Sequence, residues 1–91
     1  MKRADWYALE CFRVAARLQH ISKAAVVLRT SQPTLSRTLG GLEQRLGKKL
    51  FSRVGRSVQI TPDGVDLLQL VDRAFAGLSE LDEILEGSDS L

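Results

Sequence analysis

Ser31-Gln32-Pro33-Thr34-Leu35-Ser36-Arg37 is the stretch on which the reading of this chain turns. Ser31 has the type and position of a helix N-cap, and Pro33 falls in the first turn, where a missing N–H does no harm. Leu35, Leu39, Leu42 and Leu46 follow at spacings of four, three and four, an apolar stripe that must face a core. Gly47 then stands where a glycine in the left-handed conformation ends a helix. The face opposite the stripe carries Gln32, Thr34, Ser36, Arg37 and Thr38, with Pro33 beside them, and no acid.

Working towards the N-terminus, Arg29-Thr30 reads as a tight turn. Ser22 is expected to cap a short helix through Leu28, with Ala24, Ala25 and Leu28 turned inward. Gln19-His20-Ile21 is a connection. Trp6, Leu9, Phe12, Ala15 and Ala16 recur at helical spacing and predict a first helix over 6–18, capped by Asp5. Two short helices parted by a tight turn, with a third before them, make a helix-turn-helix.

Towards the C-terminus, Leu50–Arg53 and Ser57–Ile60 read as two short strands around Val54-Gly55-Arg56, a small hairpin or wing. Thr61-Pro62-Asp63 starts another helix: a capping hydroxyl, a proline in the first turn and an acid near the positive helix end. Leu67, Val71, Ala74, Leu78, Leu81 and Leu85 are spaced four, three, four, three, four, a seam of the kind two helices share. A helix over 62–86 would be ~37 Å long, too long for so small a core to cover, so the seam predicts pairing with a second copy of the chain. The expected fold is mainly α: a winged helix-turn-helix over 1–60, with a three-helix core and a two-stranded wing, then a long linker and dimerisation helix over 61–86.

Ninety-one residues allow one modest core and no large catalytic cleft. The chain is 44% hydrophobic and 26% charged, an ordinary globular composition without a run long enough to cross a bilayer. Met1-Lys2-Arg3-Ala4-Asp5 has no apolar segment behind it and does not read as a secretory signal. A single cysteine, Cys11 between apolar neighbours, excludes an internal disulfide and a cysteine zinc site, and fits a reducing cytoplasm. His20 is the only histidine, so nucleophilic triads and histidine metal sites lack partners. Gly40-Gly41 lies inside a helical pattern without the Lys-Ser/Thr of a phosphate loop. The residues point to no enzyme, no metal and no cofactor.

The net charge of +2 conceals a division. Residues 1–62 hold 12 Lys and Arg against 3 acids, whereas 63–91 hold 1 Arg against 8 acids. A basic body beside an acidic helix implies a polyanion partner for the body. The side chains of the third helix suit a DNA major groove: Gln pairs with adenine, Arg with guanine or phosphate, and a Thr methyl can meet that of thymine. Ser31, Ser36 and the free N–H groups of the helix start can donate to phosphates. Arg53 and Arg56 flank the wing, where arginine gains from a narrow minor groove, although edge charge also keeps a hairpin soluble. Ser22, Lys23, Arg29, Lys48 and Lys49 are weaker candidates for phosphate contact, and the four cations read equally well as charges that simply face solvent. The competing reading is a protein-interaction module that docks through the leucine-rich 67–85 helix.

Taken together, Ile21-Ser22-Lys23-Ala24-Ala25, Leu28-x-x-Ser31-Gln32-Pro33-Thr34-Leu35-Ser36-Arg37, Leu42-Glu43-x-x-Leu46-Gly47-x-x-Leu50-Phe51-x-Arg53, Arg56 and Thr61-Pro62-x-Gly64 resemble the N-terminal domain of LysR-type transcriptional regulators. The resemblance covers about residues 5–86. It implies a bacterial, cytoplasmic regulator that binds an interrupted inverted repeat in double-stranded DNA as a homodimer, through a paired linker helix, and forms a tetramer at full length. By position, Gln32, Pro33 and Thr34 would meet bases, Ser36 and Arg37 bases or backbone, and Arg56 the minor groove. It further implies that 87–91 begins a hinge to a C-terminal domain that binds a small-molecule effector. Three features depart from the pattern: Gly40-Gly41 inside the third helix, where a bend or a close backbone approach is expected; Thr30, where an apolar residue is common; and Val26-Val27, where polar residues are.

Overall fold

The computed structural model describes residues 1–55 and 57–87. Four helices and one hairpin follow in the order α1 (Arg3–Leu18), α2 (Ile21–Val27), α3 (Gln32–Leu46), β1 (Phe51–Val54), β2 (Ser57–Ile60) and α4 (Pro62–Leu85). This is the expected winged helix-turn-helix with a long terminal helix. Residues 88–91, most of the expected hinge, lie outside the described residues, as does Arg56.

Two helix starts differ from expectation. α1 begins three residues early, with Lys2 at the N-cap. Asp5 sits in the first turn instead, where its carboxylate accepts the Lys2 N–H at 2.9 Å and the guanidinium of Arg45. An acid there also meets the positive end of the helix, so the first turn is held from both sides. α2 is capped by His20, whose Nδ1 accepts the Lys23 N–H at 3.2 Å. Ser22 therefore lies inside α2, and its hydroxyl is left for another partner.

The core fills the angle between the three helices and the hairpin. Phe12, Leu35, Leu50, Val58 and Cys11 are its largest fully buried side chains, and the rings of Phe12 and Phe51 stand 5.5 Å apart. Burial pushes the Cys11 thiol above its ordinary pKa, so it serves as a small apolar side chain. The hairpin is antiparallel with Phe51 opposite Ile60 and Val54 opposite Ser57. The turn is thus tighter than the expected Val54-Gly55-Arg56, because Val54 still belongs to a strand; Gly55 turns with φ 61°. Leu50 lies before β1 and is buried beneath it. His20 bridges to Ser57, and the Gln19 carbonyl accepts the Val58 N–H at 3.3 Å, so the α1–α2 connection borders the wing.

α3 is one continuous helix. Nothing in the chain approaches within 4 Å of the place a Cβ would take on Gly40 or Gly41, so the glycine pair answers no packing need among the described residues.

α4 leaves the body along α1. Trp6 meets Phe75 edge to face at 6.1 Å, the Arg13 guanidinium lies 5.1 Å from the Phe75 ring centre, and Asp72 pairs with Arg13 at 3.5 Å and Arg17 at 2.9 Å. Val71 is buried in the chain's own core, with Leu67, Leu68 and Phe75 packed against it. Other leucines of the helix are exposed: Leu70 is 58% exposed, and past Phe75 Leu78 is 39%, Leu81 55% and Leu85 83% exposed.

Candidate nucleic-acid interface

The start of α3 is a small framework of side-chain hydrogen bonds. Ser31 caps the helix as expected: its Oγ accepts the Thr34 N–H at 3.2 Å and donates to Thr34 Oγ1 at 2.9 Å. Thr34 Oγ1 also accepts from Arg37 Nη2 at 3.3 Å, and Thr38 Oγ1 donates to the Thr34 carbonyl at 3.0 Å. Ser36 Oγ accepts from Arg53 Nη2 at 3.2 Å, a bond from the wing to the helix. Ser22 Oγ donates to Gln32 Oε1 at 2.9 Å, a bond from the first helix of the motif to the second. Gln32, Pro33 and Arg37 are exposed, and Thr34, Ser36 and Thr38 half-buried. Short side chains with fixed partners lose little freedom on meeting a surface, which is what a groove reader needs.

Two further ties hold this helix in place. Glu43 Oε2 accepts the N–H groups of Leu50 at 2.7 Å and Phe51 at 3.2 Å, which fixes the end of α3 to the start of the wing. Thr61 Oγ1 accepts the Gly64 N–H and donates to the Lys49 carbonyl at 2.6 Å, tying the α4 start to the same segment. The Thr61 cap was expected from the sequence, but its bond to the Lys49 carbonyl and the Glu43 tie were not. For Glu43 the signal was present: it is one of only 3 acids in residues 1–62.

The charges are sorted by face. Arg13, Arg17 and Arg45 sit against Asp72 or Asp5 on the side of α1 and α4. Lys48 lies 3.8 Å from Asp63 and Lys49 3.9 Å from Glu43, loose pairs with both lysines well exposed. Exposed pairs of this kind hold their partners weakly. Lys23, Arg29, Arg37 and Arg53 pair with no acid among the described residues, and all four are exposed. These four place unneutralised positive charge around α2, the α2–α3 turn, the front of α3 and the wing, while Lys2, Arg3 and Arg73, likewise in no ion pair among the described residues, lie at the start of α1 and on α4. Hydrogen bonds join Ser22, Ser31, Gln32, Thr34, Ser36, Arg37 and Arg53 at the front of α3, whereas Lys48 and Lys49 follow the other end of the helix and Arg56 lies outside the described residues. Arg53 faces the helix rather than standing alone at the wing tip. Among the described residues no group of three or more His, Cys, Asp or Glu is placed to hold a metal, and no helix is long and apolar enough to cross a membrane.

Residues 6–65 match the family model described as bacterial regulatory helix-turn-helix protein, lysR family. Over 76 residues, 84% of this chain and 26% of its counterpart, the sequence is 41% identical to the uncharacterized HTH-type transcriptional regulator YybE of Bacillus subtilis. It is 37% identical over 83 residues to the transcriptional activator protein LysR of Escherichia coli, covering 91% of this chain and 26% of that one. The chain thus spans about a quarter of the length of these curated relatives. Among solved structures, the BenM_DBD/catB site 1 DNA complex has a similar chain, with TM-score 0.84 and 28% identity over 100% of this chain and 98% of that one. The oxidized form of Corynebacterium glutamicum OxyR matches with TM-score 0.84 and 32% identity, over 94% of this chain and 26% of the other.

Proposed function

The chain belongs to the lysR family of bacterial regulatory helix-turn-helix proteins, and from that premise we propose that it is the DNA-binding part of a transcription regulator. In this reading the front of α3 enters the major groove of double-stranded DNA. Gln32, Pro33 and Thr34 meet base edges, Ser31, Ser36 and Arg37 meet bases or phosphates, and Arg53 and Arg56 bring the wing to the minor groove. Ser22, Lys23, Lys48 and Lys49 are the neighbouring phosphate contacts. Affinity arises from phosphate neutralisation and sequence preference from the helix. The observation that carries the reading is the exposed, acid-free front of α3, ringed by Lys23, Arg29, Arg37 and Arg53, none paired with an acid among the described residues. The chain performs no catalysis in this account and acts in the bacterial cytoplasm.

The exposed leucines of α4 support a homodimer. Leu78, Leu81 and Leu85 continue the seam that Leu67 and Val71 begin within the chain's own core, and Leu70 adds exposed apolar surface beside it. A pair of bodies held by two such helices reads an interrupted inverted repeat, one half-site per body. Full-length relatives are about four times as long, so an effector-binding domain and a tetramer belong to the same proposal.

Titration of random duplex DNA over a range of salt concentrations tests it. Binding is expected to fall steeply with salt, by roughly a power of 0.9 per phosphate contacted. Absence of binding at low salt would overturn the proposal and leave the leucine-rich helix of an interaction module.

A further inference from the structure

A glycine inside a helix weakens it relative to alanine, because it gives up more backbone freedom and packs against nothing. Gly40 is such a residue, exposed in the middle of α3, one helical turn beyond Ser36 and Arg37. Among the described residues no atom comes within 4 Å of the place its Cβ would take, so no contact inside the chain offsets the loss. Gly40 also lines an open cavity of about 410 Å³, together with Glu43, Gln44, Gly47, Lys48 and Lys49. Both lysines are exposed, and their acid partners lie at 3.8 Å and 3.9 Å. The one acid of the lining, Glu43, is engaged: one oxygen faces Lys49 and the other accepts the Leu50 and Phe51 N–H groups. Gly41 has the same open space but does not line the cavity.

We propose that Gly40 and the cavity beside it form a seat for one phosphate of the DNA backbone, a site that rests on the DNA-binding reading above and deepens it. The dimensions favour this occupant. A helix with its side chains is about 10–12 Å across, and the major groove is about 12 Å wide. A helix in the groove therefore meets the sugar-phosphate walls, and a position without a side chain lets a wall come up to the backbone. The charge is complementary as well: α3 carries no acid from Gln32 to Leu42, and Lys48 and Lys49 stand at the cavity. Gly40 contributes room and no hydrogen bond, since mid-helix peptide groups are already paired. The donors are the Gln44 amide and the two lysines, which leave such loose, exposed acid partners at little cost. A phosphate carries no base identity, so the seat adds affinity on every sequence and sets how deep α3 lies in the groove.

The test titrates an operator selected from a random pool, and its scrambled sequence, with wild type, Gly40→Ala, Gly40→Leu and Gly41→Ala. Gly40→Ala should weaken binding to both duplexes about threefold and Gly40→Leu roughly tenfold or more, following the size of the group put into the seat. Alanine and leucine both favour a helix more than glycine does, so neither variant should lose Tm and the loss is one of binding. Gly41→Ala should bind as wild type does. In a Lys48→Ala/Lys49→Ala background, where the seat no longer holds its phosphate, Gly40→Leu should cost at most about twofold. Unchanged affinity in Gly40→Leu would overturn the proposal, as would a lowered Tm or a loss in Gly41→Ala equal to that in Gly40→Ala. A Gly40→Leu loss undiminished in the lysine background, or confined to the operator, would replace the phosphate by another part of the DNA and overturn it too. A wild type that binds no duplex at low salt would refute the DNA-binding reading itself.

Discussion

Gly64 lies so close under Leu50 that a Cβ on the glycine would stand 2.4 Å from the Leu50 carbonyl oxygen and 2.6 Å from Cγ1 of Ile60. The same carbonyl accepts the Thr61 N–H at 3.0 Å, so the start of α4, the segment before the wing and the end of β2 meet at one point. The wing and the linker helix are set at this junction, and it admits only glycine.

Gly64→Ala is accordingly expected to destabilise the chain by about 2 kcal/mol, since backbone rather than a flexible side chain must move. The loss persists despite the roughly 1 kcal/mol by which alanine outranks glycine in a helix. Denaturant unfolding at fixed protein concentration measures it. A stability equal to wild type would contradict the close approach.

The opposite outcome is expected at Gly40 and Gly41. Both are exposed in the middle of α3, at a negative φ, with open space where a Cβ would go. Gly40→Ala and Gly41→Ala should each stabilise by up to about 1 kcal/mol, raising Tm by roughly 4–8 °C. A lower Tm for either would show that the pair serves a packing role in the free protein.

Asp5 gives the stability an acid limb. The Lys2 N–H, and then the Arg45 guanidinium, hold its carboxyl below the ordinary carboxylate pKa. A group with a depressed folded pKa contributes stability above its unfolded pKa, about 4, and loses it as pH falls through the folded value. The stability gap between wild type and Asp5→Asn should therefore be open at neutral pH and close as pH falls below about 4. A gap that widened in acid would contradict the contact.

The exposed end of α4 predicts self-association. Sedimentation should find a dimer, and Leu81→Glu should shift it towards monomer, since a charge would be buried in the seam. Val71→Ala should instead lower the stability of each body by roughly 2 kcal/mol, because Val71 is spent on the chain's own core. A wild-type monomer at high concentration would remove the dimer.

The elements were legible from local rules because caps and periodicities agree with the tertiary packing. Ser31, Gly47 and Thr61 each do in the structure what their type and position foretell. Expectation failed where two groups compete for one role. Ser22 and His20 both can cap α2, and only the adjoining wing, which pairs His20 with Ser57, decides for the histidine. Asp5 and Lys2 compete in the same way, and a contact 40 residues away, with Arg45, belongs to the outcome. α4 forms where the spacing expected a helix, but spacing alone cannot say which of its apolar residues the chain covers by itself. The candidate site residues were chosen by type, whereas their mutual bonds, Ser22 to Gln32 and Arg53 to Ser36, exist only in three dimensions.

The most direct test of the central claim compares binding of wild type, Gln32→Ala and Lys48→Ala to a selected operator and to its scrambled sequence. Gln32→Ala should lose roughly 1–3 kcal/mol of discrimination between the two, while Lys48→Ala weakens both alike. Discrimination unchanged in Gln32→Ala would contradict the assignment of the α3 start as the part that reads the base sequence.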